Sequence, residues 1–236
     1  MSLDISFIKE TFPEVLKAVP VTLLVTALPV ILGAIFGFFV ALLHIRKIPV
    51  INQILELLIS FFRSVPLIIL LFCSYYGVPK LINFMFYKGE RVVGTTQISG
   101  MTVALIVYTV YSTAYISELI RGALASVDLK QMEAAHSIGM TKFSAYTRIV
   151  IPQAIMVAMP NYFNFVLATL KNTSLVFAIS VMDIMATAKV AAEKGYRFIE
   201  AYVMVGIIYI VLGVTLSAIF KKVEKNSKMH MGIVTE

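Results

Sequence analysis

Long stretches without a single ionised side chain constrain this chain more than anything else in it. Residues 18–43 contain no Asp, Glu, Lys or Arg, and the same holds for 92–117, 149–170 and 201–220. About 20 apolar residues, at about 1.5 Å each, cross a hydrocarbon core of about 30 Å. These blocks meet that length unaided, and a further one over roughly 55–79 does so if Arg63 is accommodated inside it. Only 14% of the residues are charged and 59% are hydrophobic, whereas a soluble domain is about a quarter charged. The expected fold is therefore all-α and membrane-embedded, one domain over 1–236 with approximate spans 18–43, 55–79, 96–120, 155–186 and 200–220.

The first block does not read as a signal peptide. It is longer than the usual apolar region of about 7–15 residues, and His44, Arg46 and Lys47 follow it instead of a small-residue cleavage site. The segment before it mixes Phe7, Phe12 and Leu16 with Lys9, Glu10 and Glu14, as an interfacial helix or helical lead-in does. Cys73 is the lone cysteine, and His44, His136 and His230 stand in no ligand spacing. A disulfide framework and a metal site are therefore not expected. The net charge of +7 is scattered over loops and the tail Lys221, Lys222, Lys225 and Lys228, which reads as membrane-flanking charge and not as a nucleic-acid surface. If that tail is cytoplasmic, an odd number of spans puts the N-terminus outside. Ten basic residues then lie on inner segments against eight on outer ones, a small excess in the direction the positive-inside rule requires.

One inner loop, 127–152, has structure of its own. Residues 129–138 form a run of good helix formers ended by Gly139, which can take the left-handed conformation at a helix C-terminus. Thr141 can cap a second short helix, and Pro152 is expected to break it before the next span. Two short helices at a glycine corner, with small Ala134 and Ala135 beside Glu133, make a compact knob for a cytoplasmic partner's groove. An ordinary helical hairpin loop would have the same outline.

The residues of this loop also carry a resemblance. Glu133-Ala134-Ala135, then Gly139, Ile149, Ile151 and Pro152, resembles the EAA loop of ABC importer permeases, with Ile151 where leucine is usual. Arg63-Ser64-Val65-Pro66-Leu67, Tyr115 to Gly122, Ser126-Val-Asp with Gln131, and Leu170-Lys171-Asn172-Thr173-Ser174-Leu175 are similar, in order, to the polar amino acid branch of that family. That branch comprises histidine, glutamine, arginine, cystine and opine permeases. The resemblance implies the five-helix core of the smaller type I importers, in a bacterial cell membrane, carrying no catalytic site. It implies two permease subunits, identical or closely related, forming the pore, and two ATPase subunits that bind ATP and Mg and grip the loop at Glu133, Ala134, Ala135, Gly139 and Pro152. An extracytoplasmic binding protein would deliver the substrate. This chain would bind no cofactor itself.

Polar residues within the spans need partners or water, because one ionised side chain at a bilayer centre costs about 2.5–3.5 kcal/mol. Arg63 and Glu118 fall at equal depth, about 13 Å from the inner side, and are expected to pair unless Arg63 snorkels to headgroups. Lys171, Asn172, Thr173 and Ser174 form a polar turn beyond Pro160 on the fourth span. This turn either lines the translocation path or joins helices across a subunit interface. Asp183 reads as hydrated, near the outer end. An intramembrane enzyme would need more convergent acids and histidines than the spans offer, and a secondary transporter usually shows internal repeats, of which there is no sign. Asn172, where many relatives have aspartate, tilts the substrate from cationic toward neutral or acidic amino acids, cystine or glutamine first.

Overall fold

The computed structural model describes residues 4–45 and 48–230, and all regular structure within them is helical. Arg46 and Lys47, assigned to an inner loop from the sequence, lie outside the described residues. Eleven α-helices follow in order: α1 (Ile5–Leu16), α2 (Val19–Ile45), α3 (Pro49–Ser64), α4 (Leu67–Phe72), α5 (Val78–Phe86), α6 (Gly100–Ala125), α7 (Leu129–Ser137), α8 (Lys142–Ala145), α9 (Ile151–Asn172), α10 (Ile184–Glu193) and α11 (Phe198–His230). Five helical stretches among the described residues are long and apolar enough to cross a membrane: Val19–His44, Leu67–Phe86, Gly100–Ala125, Lys142–Ile179 and Phe198–Met229.

The second of these differs from the continuous span expected over 55–79. Pro66 has no N–H, and its ring pushes the preceding residue out of helical geometry. Val65 and Pro66 are accordingly extended, with ψ of 129° and 134°, so α3 stops at Ser64 and α4 starts afresh at Leu67. The break expected at Pro152, by contrast, does not occur. A five-residue π-type turn, Tyr146–Val150, joins α8 to α9 and carries the helix through the proline. The same device, Cys73–Gly77, precedes Pro79 between α4 and α5. A turn widened by one residue takes the carbonyl four positions back away from the proline ring and needs no N–H from it. That is why two prolines inside spans interrupt neither.

Two large apolar clusters carry most of the packing among the described residues, and a smaller third one joins Val30 of α2, Ile116 of α6 and Val166 of α9. Of the two large ones, one gathers Val25 of α2, Leu70 and Leu71 of α4, Val103 and Val107 of α6, and Val176 and Ile179 from the segment after α9. The other joins Val15 of α1, Ile184 and Ala188 of α10, and Ala201 and Met204 of α11. The first and third spans touch most closely: a Cβ added at Gly33 of α2 would lie 2.4 Å from the Cβ of Ser112 on α6. Small residues allow this close approach where water offers no driving force between helices. α1 packs on the bundle with Thr11 and Val15 buried, and an Asp4–Arg197 ion pair of 3.1 Å and an Asp4 N–H donating to Glu200 Oε1 at 3.2 Å tie it to α11.

Candidate functional site

The loop between the third and fourth long helices is built by local capping at every corner. Asp128 caps α7 by accepting the Lys130 N–H at 2.9 Å. At the other end Gly139 has φ of +82°, its N–H donates to His136 O at 3.0 Å, and the Met140 N–H reaches Ala135 O at 3.0 Å. This paired arrangement satisfies the last carbonyls of α7 and requires a left-handed residue, which glycine supplies without a steric penalty. Thr141 then caps α8 by accepting the Ser144 N–H at 3.2 Å. The amides of Gln131 and Gln153 pair with each other, fastening α7 to the base of α9 beside Pro152. Ala135 is buried under the knob while Glu133 and Ala134 face outward. The most exposed apolar side chains of the loop are Ile138 and Phe143, at 78% and 79%. Neither is among the residues expected to meet a partner; large apolar residues on either side of a glycine corner, with no helical stripe to join, are the signal for them in the sequence.

Arg63 and Glu118 come together. Arg63 lies in the last turn of α3, and its Nη1 is 3.6 Å from Glu118 Oε2 on α6. Glu118 is gripped harder by its own helix: Arg121 donates from Nε to Oε1 at 2.9 Å and from Nη2 to Oε2 at 2.7 Å. The group is thus two guanidinium ions on one carboxylate, and not the isolated pair expected. Tyr115 donates to the Arg63 carbonyl at 3.3 Å, and the Arg63 guanidinium sits 5.4 Å from the Tyr115 ring centre. Beside this group opens a cavity of about 460 Å³, lined among others by Arg63, Tyr115, Glu118, Val157, Asn161 and Phe165. Asn161 was not foreseen as a site residue.

The shared carboxylate makes the two arms unequal. Arg63→Gln leaves Glu118 satisfied by Arg121, whereas Glu118→Gln leaves two cations facing each other. The guanidinium side chains are 43% exposed, so stranding them costs less than the about 3–5 kcal/mol of a buried pair, and still more than removing one of two cations from a satisfied carboxylate. Glu118→Gln is therefore expected to lower the yield and thermal stability of the assembled protein. Arg63→Gln should lower them little, and the double variant should recover part of the Glu118→Gln loss. Detergent-phase thermal melts of the three variants measure this, and equal losses from both single changes would contradict it.

The polar turn is split between core and surface. Lys171 lies in the last turn of α9 with its side chain exposed, and it makes no ion pair among the described residues. Thr173 opens a 3₁₀ segment, Thr173–Ile179, and is fully buried. Asn172 and Ser174 are half-buried between these extremes. Asp183, expected to be hydrated, has 0% exposure; its carboxylate caps α10 by accepting the Ala186 N–H at 2.8 Å, so the N-terminus of a helix takes the place of water. Gln153 and Ile155 are exposed near the start of α9, and from Val157 onward the exposed positions are Val157, Asn161, Asn164, Ala168 and Lys171. Their spacing of four, three, four and three is one helical face. Lys171 and the Arg63–Glu118 cavity are thus not one site, but stand at two ends of one stripe, about 15 Å apart.

Five helical stretches long and apolar enough to cross a membrane, a capped interhelical knob and an exposed helix face bearing polar side chains occur together among the described residues. Residues 7–228 match the family described as binding-protein-dependent transport system inner membrane component, and the chain belongs to that family. It is 39% identical over 216 residues to the probable amino-acid permease protein YxeN of Bacillus subtilis, covering 92% of each chain. With the L-cystine transport system permease protein TcyL of the same organism it shares 35% over 227 residues, 96% of this chain and 92% of that one. Its fold matches the crystal structure of an amino acid ABC transporter with histidines at a TM-score of 0.83 and 31% identity, covering 96% of this chain and 100% of that one. The chain is a permease component of an amino acid ABC importer, an inner-membrane protein of the type I importer fold.

Proposed function

We propose that this chain is the membrane-spanning subunit of an ATP-driven, binding-protein-dependent importer of polar amino acids, neutral or acidic before cationic, with cystine or glutamine as first candidates. The exposed α9 stripe carries this reading. Asn161, Asn164 and Lys171 would be costly against lipid, so the face that holds them meets water or a second permease subunit. Two such faces opposed across a symmetry axis enclose a path in which Lys171 meets a carboxylate at one end and the Arg63–Glu118 cavity receives both ends of a zwitterion at the other. Val157 on the cavity wall and Asn172 in the turn add no carboxylate for a cationic side chain.

In this reading the N-terminus is outside, and the basic tail and the 127–152 loop are cytoplasmic. Two ATPase subunits take one loop each, with Ile138 and Phe143 as apolar anchors beside Glu133 and Ala134 and the corner held by Gly139 and Pro152. Large side chains entering a pocket supply most of the energy of such contacts. An external binding protein delivers the substrate. Uptake of a labelled amino acid panel by the reconstituted subunit, ATPase and binding protein tests the reading. Cystine or glutamine should be carried in preference to arginine or lysine; equal or better transport of arginine would overturn the substrate class.

A further inference from the structure

Between the two large apolar clusters lies a row of polar side chains that transport, as described so far, does not use. Thr22 of α2, Tyr108 of α6, Thr173 and Asp183 all have 0% exposure. Tyr209 of α11 reaches into the row from the other cluster: its one hydroxyl proton faces two acceptors, Thr173 Oγ1 at 3.1 Å and Asp183 Oδ2 at 3.4 Å. Thr173 Oγ1 also donates to Leu170 O at 2.7 Å. Tyr108 donates to the carbonyl of Asn172. Thr22 Oγ1 accepts the N–H of Ile184, the residue after Asp183, at 3.3 Å. Every one of these contacts falls on the backbone or side chains between Leu170 and Ile184, where α9 tightens into the 3₁₀ segment and the chain turns at Ser180, with φ of +63°.

We propose that Tyr209 is a positioning residue for transport: with Asp183 behind it and Tyr108 opposite, it sets the orientation of the Lys171–Asn172 turn at the outer end of the α9 stripe. Three features support this role over simple packing. Apolar side chains of the same size would fill the seam, so the hydroxyls are not needed for bulk. The contacts hold one short stretch from three sides and leave Lys171, two residues from Thr173, projecting from the clamp. Tyr209 stands on α11, while the 3₁₀ segment it holds belongs to the other apolar cluster. A hydroxyl bridging Thr173 and a buried carboxylate fixes the register between them, as shape-based packing alone does not.

This inference rests on the reading that the stripe ending at Lys171 lines the path. The test uses the complete reconstituted complex and compares Tyr209→Phe, Thr173→Val, Thr173→Ser and the double variant Tyr209→Phe/Thr173→Val, with Lys171→Met alongside. Assembly, melting temperature and unstimulated ATP hydrolysis are measured together with amino acid imported per ATP hydrolysed. Loss of one hydrogen bond in a charged network should lower that ratio about tenfold in Tyr209→Phe and in Thr173→Val, while Thr173→Ser keeps it. The double variant should lose less than the two single losses combined, because the Thr173–Tyr209 contact can be removed only once while the bonds to Asp183 and Leu170 O are lost separately. Assembly and unstimulated hydrolysis should stay within about twofold of the parent in the Tyr209 and Thr173 variants. An unchanged import ratio in Tyr209→Phe, or parallel losses of assembly and import, overturns the positioning role if Lys171→Met is impaired. Normal import by Lys171→Met would instead remove the path reading underneath.

Discussion

Gly139→Val is expected to leave the subunit in the membrane and abolish its work. The residue has φ of +82°, and a Cβ there would meet nothing within 4 Å, so all of the penalty is in the backbone. A β-branched residue held in the left-handed region costs on the order of 1–3 kcal/mol. The loop avoids that strain by unmaking the paired hydrogen bonds from Gly139 and Met140 to His136 and Ala135. The corner then opens, and α7 no longer presents Glu133 and Ala134 on one side of it and Ile138 and Phe143 on the other. ATPase co-purification should fall at least about tenfold, with import falling in step. Gly139→Asn is the control, since asparagine visits the left-handed region readily and should retain most of both. Import at the normal rate by Gly139→Val would remove the coupling role of the corner.

Lys171→Met is expected to be nearly as severe, for a different reason. Methionine keeps the length and apolar bulk of the side chain and deletes only the charge. The lysine is exposed on a membrane-crossing helix and is without an ion partner among the described residues, so its ammonium is stabilised by water, substrate or a neighbouring subunit. If it lines the path, import should drop by about tenfold or more while the complex assembles and its coupling loop still engages the ATPase. If it joins the two permeases instead, assembly and unstimulated ATP hydrolysis should fall together. Normal assembly with normal uptake would contradict both roles.

Much of this architecture is legible in the sequence because the physics behind it is local. Uncharged blocks mark the long helices through the cost of burying charge, and the Gly139 corner follows from backbone sterics that two residues of context decide. What escaped is non-local or depends on small differences in helix geometry. Pro66 divides the second helix while Pro79 and Pro152 do not, because π-type turns at Cys73–Gly77 and Tyr146–Val150 accommodate the latter two. Depth counting brought Arg63 to Glu118, but not Arg121, whose bidentate hold depends on how Glu118 turns on its own helix. Asp183 was misread as hydrated because its partners are the Ala186 N–H and Tyr209, 26 residues away, and no pattern in one sequence brings Tyr209 there.

In the proposed function this subunit moves amino acids only when ATP hydrolysis works through the 127–152 loop. Proteoliposomes containing the permease, its ATPase and the external binding protein, with ATP enclosed on the ATPase side, measure it directly through uptake of labelled cystine and glutamine. Uptake against a concentration gradient should need ATP and the loaded binding protein together, and should stop in Gly139→Val. Equal uptake without ATP, driven by an ion gradient or by the substrate's own, would contradict it.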